Sequence, residues 1–162
     1  TAIDGGYKCT CTSPTLKDGS HTISVNASDN DGNAAAAKTA TFTVDTVPPT
    51  LQITAPSNNL ITNKKTVTVS GKTDDVSSKP VTVTVNGATV TVGTDGTFTK
   101  DVTLAEGANT ITIVAKDKAG KTTTVTRKVT VDTSAPVIKS VTLTPNPVDC
   151  GKTFIIAVEI TD

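Results

Sequence analysis

Gly107-Ala108-Asn109-Thr110-Ile111-Thr112-Ile113-Val114-Ala115-Lys116-Asp117, followed by Gly120, restates Gly19-Ser20-His21-Thr22-Ile23-Ser24-Val25-Asn26-Ala27-Ser28-Asp29, followed by Gly32. The frame continues. Phe42-Thr43-Val44-Asp45-Thr46 precedes Pro48-Pro49, and Val129-Thr130-Val131-Asp132-Thr133 precedes Pro136. Gly19 and Gly107 stand 88 residues apart, close to the roughly 100 residues of one β-sandwich domain. A self-match at this period predicts a tandem array.

Between the matched segments the chain alternates apolar and polar residues with period two, which gives a strand one buried face and one wet face. Leu51–Thr54, Thr66–Gly71, Val81–Val85, Ala88–Val92, Thr97–Leu104, Asn109–Ala115 and Thr122–Val131 read as seven strands. Turn signals separate them every ~8–12 residues, as in an antiparallel sandwich. Asn86-Gly87 is the strongest of these, because both residues accept positive φ in a tight hairpin. The expected core is Val67, Val69, Val83, Val85, Phe98, Val102, Leu104, Ile111, Ile113 and Val129. A one-residue slip would expose the whole set. Residues 1–46 match the last three strands of this unit, with Tyr7 expected in the core slot of Phe98. Residues 134–162 match its first two.

The expected organisation is therefore all-β, with one complete domain at 47–133, the C-terminal part of a domain at 1–46, and the N-terminal part of a further one at 134–162. The flanking pieces are expected to be stretches of a longer array, with head-to-tail complementation between copies as the rival. The joints Asp45-Thr46-Val47-Pro48-Pro49 and Asp132-Thr133-Ser134-Ala135-Pro136 are short. Proline fixes φ and pushes its predecessor into extended backbone, so they read as stiff connections.

Composition agrees. Thr is the commonest residue and Val follows it, and β-branched side chains favour the pleated surface of a sheet. Basic and acidic residues number 15 each, and the absence of a basic stripe argues against nucleic acid as a partner. No apolar run approaches the ~20 residues of a membrane-spanning helix.

Asp95-Gly96-Thr97-Phe98, Val102-Thr103-Leu104, Glu106-Gly107-Ala108-Asn109-Thr110-Ile111, Ala115-Lys116-Asp117-Lys118-Ala119-Gly120-Lys121 and Val129-Thr130-Val131-Asp132 together resemble the bacterial immunoglobulin-like domains found in tandem on secreted and surface proteins. Val141-Thr142-Leu143-Thr144-Pro145-Asn146-Pro147-Val148, leading into Gly151-Lys152-Thr153-Phe154, resembles immunoglobulin-like segments of clostridial surface and prophage virion proteins. The resemblance implies an immunoglobulin-like antiparallel β-sandwich array. It also implies a non-catalytic stalk or filament segment of an extracellular surface or secreted protein. An accessory spacer or carbohydrate-associated module of a larger secreted hydrolase, and a virion decoration or fibre component, are the alternatives. The implied partners are neighbouring repeats of the same chain or of other copies, with a cell-surface or polysaccharide ligand as a further candidate.

Individual residues point away from chemistry, and no catalytic residue, cofactor or metal is expected. His21 is the sole histidine and heads a strand in the register of Asn109, where a polar residue suffices. Asp29-Asn30-Asp31-Gly32-Asn33 spaces oxygens like the front of a calcium loop, but the distal bidentate Glu is missing. Its counterpart 117–121 carries two lysines, so a hairpin turn is the plainer reading. The loop after the second strand and the incoming linker share one end of a sandwich, so Asp45 and Asp74-Asp75 can meet there; solvated loop carboxylates are the default reading, and a calcium-stiffened joint is the alternative. Lys100 reads as an edge or solvent-facing lysine rather than a partner in an intramolecular Lys–Asn bond. Asn26-Ala27-Ser28 fits a glycosylation sequon inside a strand, and Thr122-Thr123-Thr124 and Thr126 read as strand surface. Cys9, Cys11 and Cys150 are expected to be unpaired, with Cys9 and Cys11 on the side of Tyr7.

Overall fold

A computed structural model describes residues 2–3, 6–7, 9–144, 146–147 and 149–162, the first two pairs by backbone alone. The expected placement of the Tyr7 side chain, and of the two cysteines relative to it, lies outside the described residues. The described residues contain strands and no helix.

The central unit is built from β5 (Thr50–Ala55), β6 (Leu60–Thr62), β7 (Thr66–Asp74), β8 (Thr82–Val85), β9 (Ala88–Val90), β10 (Thr97–Thr103), β11 (Gly107–Lys116) and β12 (Thr122–Val131). They form two sheets, one in the order β10-β7-β5 and the other β6-β12-β11-β8-β9. The inner faces follow the period-two reading. Val69, Val83, Val85, Phe98, Leu104, Ile111, Ile113 and Val129 are buried, joined by Val90, Ala115 and Val131. Val67 and Val102 are partly buried against this cluster. Such a core, nearly without aromatics, draws its stability from β-branched side chains interdigitating between the sheets.

Asn86 and Gly87 adopt φ of 48° and 81° and close the β8–β9 hairpin. Their loop is fastened to β11 by reciprocal bonds of 2.8 Å, Asn86 N to Thr112 O and Thr112 N to Asn86 Oδ1. Phe98 pairs with Gly71, and its ring tip would lie 2.8 Å from a Cβ added there. The ring therefore lies over a backbone that only glycine leaves bare.

Strand β6 was not expected. It pairs with β12 in parallel, Leu60 opposite Val129, a departure from a wholly antiparallel sandwich. The register of β5 on β7 shifts between Ile53 and Ala55, and Asn59 takes φ of 62°. These two breaks carry the first strand from one sheet to the other. Arg127 secures the crossover through Nε to Pro56 O at 3.1 Å and a second guanidinium nitrogen to Ile53 O at 3.3 Å.

On the N-terminal side, β1 (Ala2–Ile3) pairs with β2 (Gly6–Tyr7), and β3 (Gly19–Val25) pairs with β4 (Lys38–Val44). On the other side, β13 (Val137–Thr144) pairs with β14 (Ile155–Thr161). All these pairings are antiparallel. The sequon lies just beyond β3 rather than inside it, with Asn26 exposed.

Candidate functional site

The chemistry-bearing side chains gather where the linker after β4 meets two loops of the central unit. Asp45 ends the first repeat, Asp75 follows β7, and Asp117 follows β11. Each carboxylate offers an oxygen to one cluster whose members all lie within 4.8 Å of one another. The three residues are only 8%, 5% and 5% exposed.

Local backbone geometry fixes each of them. Asp45 Oδ1 accepts the Val47 N–H at 3.1 Å. Asp75 Oδ1 accepts the N–H groups of Ser77 at 2.9 Å and Ser78 at 2.8 Å, and the Ser77 hydroxyl at 3.3 Å. Asp117 Oδ1 accepts the Lys121 N–H at 2.8 Å. These are side-chain turns in which a carboxylate replaces a backbone carbonyl. Asp45 Oδ2 and Asp117 Oδ2 are buried without a hydrogen-bond partner. The ion pairs among the described residues lie elsewhere, Lys79–Asp74 at 2.8 Å and Lys65–Glu106 at 3.9 Å.

The two loops hold each other through Ser78, itself buried. Its hydroxyl accepts the Ala119 N–H at 2.9 Å, and its carbonyl accepts the Lys118 N–H at 3.3 Å. The Thr123 hydroxyl donates to Pro49 O at 2.5 Å and draws the linker onto β12. A cleft of about 480 Å³ opens beside the cluster, lined in part by Phe42 of the first repeat and by Ser77, Ser78 and Lys118 of the second.

The linker is also clamped from behind. Asp18 takes both polar groups of Thr46, the N–H at 3.1 Å and the hydroxyl at 2.8 Å. One period later Glu106 takes both polar groups of Thr133, each at 2.8 Å. These two bonds, with Lys65 beside them, hold the Glu106 carboxyl below its ordinary range.

Sequence reasoning anticipated Asp45 and Asp75 at one pole but gave them to solvent, whereas the linker packs against the loops and buries both. Asp74 instead remains exposed, paired with Lys79, which depresses its titration. Asp117 was missed. Its loop is superficially that of Asp29, with Asp29 Oδ1 accepting the Asn33 N–H at 2.8 Å. At Asp29, however, the second oxygen takes the Asn33 side chain at 2.7 Å, and these bonds lower its titration range. Position 121 is lysine, so Asp117 Oδ2 has no such partner. The signal that could have found it is the aspartate kept at this position in both repeats.

The other candidates resolve into structural roles. His21 stacks on Phe42 with centroids 5.6 Å apart, and its Nε2 bonds to Lys17 O at 2.8 Å. Asn109 makes the same corner tie to Ala105 O at 2.8 Å. Lys100 is exposed on β10, an edge strand. Thr122, Thr124 and Thr126 are exposed, but Thr123 is half-buried. Cys9, Cys11 and Cys150 are free and exposed.

One two-sheet sandwich flanked by strand pairs whose sequence repeats its own, with joints that begin Asp-Thr and run into proline, defines a tandem array of bacterial immunoglobulin-like domains. The chain belongs to the family of glucodextranase, domain B, whose family model matches residues 49–133, and the bacterial Ig-like domain model matches residues 1–46. It is 35% identical over 123 residues to Bacillopeptidase F of Bacillus subtilis (strain 168), covering 76% of this chain and 8% of that protein. The chain thus spans less than a tenth of that relative. Among solved structures it is similar to the fibronectin(III)-like modules of Clostridium thermocellum CbhA, with TM-score 0.42, 22% identity and coverage of 71% and 63% of the two chains. It is also similar to a tetra-tandem repeat in the extending region of a large adhesion protein, with TM-score 0.45, 24% identity and coverage of 88% and 45%.

Proposed function

We propose that this chain is a non-catalytic spacer within a larger extracellular bacterial protein, holding neighbouring domains at fixed separation. The observation that carries the reading is the joint at 45–49. It is clamped to the preceding repeat through Asp18–Thr46 and to the following one through Thr123–Pro49 and buried Asp45. Connections that allow free motion are short of such bonds. The names of the relatives, a glucodextranase domain and a bacillopeptidase, favour an accessory role beside a hydrolase. A free-standing surface stalk is the second setting that the same mechanics would serve.

The test is a distance distribution between repeats. With Cys9→Ser, Cys11→Ser and Cys150→Ser, spin labels at Thr39→Cys on β4 and Thr89→Cys on β9 are expected to give one narrow distance. A broad distribution, like that of two bodies on a loose tether, would overturn the spacer reading.

A further inference from the structure

We propose that the two outer strand pairs are complementary halves of one sandwich, and that β13–β14 of one copy of this chain docks on β3–β4 of a second copy. The proposal goes beyond the spacer reading and does not depend on it.

The pair β3–β4 keeps the register of β11–β12. Gly19 faces Val44 and Val25 faces Lys38, as Gly107 faces Val131 and Ile113 faces Val125. One face of the pair therefore carries Ile23, Val25, Ala40 and Phe42, in the places of Ile111, Ile113, Arg127 and Val129. The other face is all hydroxyl, with Ser20, Thr22 and Ser24 opposite Thr43, Thr41 and Thr39. Ile111 and Ile113 are fully buried, whereas Ile23 and Val25 are 49% and 61% exposed. The face that is core in the central unit is bare here.

The pair β13–β14 is the other half. One of its faces gathers Ile138, Val141 and Leu143 opposite Ile160, Val158 and Ile156, and all six are exposed. Like β5–β7, it is an antiparallel pair with a register shift in its first strand. A two-stranded sheet alone is marginal in water, and a contiguous exposed apolar face marks an interaction surface.

The central unit shows what covers such faces. There β5–β7 lies over β11–β12. Val69 shares one buried cluster with Ile111, Ile113 and Val129, and Leu51, Ile53 and Val67 pack against it. The chain thus displays at β3–β4 a half that takes a β5–β7 pair, and at β13–β14 a pair of that kind. Joining two β13–β14 faces would leave β3–β4 bare, while joining unlike halves covers both. Because the two faces differ, the contact is heterologous, and copies add head to tail into an open chain. The joined halves lack a counterpart of the β8–β9 hairpin, so their contact buries less than an intact domain and exchanges between copies.

The test is sedimentation of the 162-residue chain with its three cysteines replaced by serine, so that disulfides contribute nothing. The weight-average mass is expected to rise above 16.5 kDa as concentration increases. Ile23→Asp and Val158→Asp should each sediment as the 16.5 kDa monomer. Thr22→Asp, on the hydroxyl face, should associate like the parent. An equimolar mixture of Ile23→Asp and Val158→Asp leaves one live junction, so it should give a species of twice the monomer mass and nothing larger. Both substitutions lie outside the central unit, whose melting should be unchanged. In the mixture each variant supplies an intact half, so an aspartate that merely unfolded its own pair does not alter the expected result. A parent that stays monomeric, a dimer formed by Ile23→Asp alone, or a mixture without the heterodimer would overturn the proposal. A monomeric parent with a narrow spin-label distance defeats the docking and leaves the spacer reading standing.

Discussion

Replacing Phe98 with alanine should be the most damaging single truncation in the central unit. Phe98 is 3% exposed, faces Gly71 across the β7–β10 ladder, and is the one aromatic in a core otherwise made of Val, Ile, Leu and Ala. Truncating a buried phenylalanine costs about 3–5 kcal/mol, because the lost transfer energy is joined by a cavity that the surroundings fill incompletely. A domain of this size holds only ~5–15 kcal/mol in total. At roughly 4–8 °C per kcal/mol, the melting temperature should fall by roughly 12–40 °C. The floor beneath the ring sharpens the test. A Cβ at Gly71 meets the Phe98 ring at 2.8 Å and also the backbone oxygen of Gln52. Gly71→Ala should therefore be destabilising alone, and less so once the ring is gone, while the backbone clash persists. Urea unfolding of the parent, both single variants and the double variant gives the coupling energy directly. A Phe98→Ala cost under about 1 kcal/mol, or strict additivity with Gly71→Ala, would refute the packing argument.

Gly96 has φ of 82°, and an added Cβ would collide with Thr73 O; Gly96→Ala should lower the melting temperature clearly, whereas Gly120→Ala, with open space around it, should suffer only from its positive φ. Glu106 is held below its ordinary 4.5, first by the Thr133 N–H, then by its hydroxyl and by Lys65. Its carboxylate therefore contributes stability above about pH 4.5 that is lost as pH falls through the lower folded-state value, and Glu106→Gln should flatten that acid limb in pH-dependent unfolding. His21→Asn should melt like the parent, since asparagine makes the same corner tie at position 109; a large loss would show that stacking on Phe42 outweighs the hydrogen bond.

The core was legible because β-structure converts sequence into sidedness without reference to distant residues. Val69, Val83, Val85, Ile111 and Ile113 announce their face by alternation alone, and Asn86-Gly87 announces its hairpin by its tolerance of positive φ. Strand β6 was not legible. Leu60-Ile61-Thr62 is too short to show a period, and its parallel partner lies nearly 70 residues away on β12. The acidic cluster failed for a related reason. The local difference, lysine at 121 where Asn33 takes the second oxygen of Asp29, says nothing of burial. The difference is made by a linker from the preceding repeat, which buries one and leaves the other in water.

The same contrast explains why a joint, rather than a pocket, holds the unusual chemistry of this chain. Inside a domain, period-two patterning removes polar groups from the interior and leaves little unsatisfied. At a joint the chain must leave one sandwich, run extended and enter another, so its backbone polar groups need partners from outside any ladder. Here they find carboxylates. Asp18 and Glu106 hold the threonines behind the joint, and Asp45 and Asp132 hold the amide two residues ahead. A carboxylate is a strong acceptor for an N–H, about twice as strong as a neutral one. The cost appears when two domains close over it and its second oxygen is cut off from water. Stiffness and buried negative charge therefore arise from the same residues.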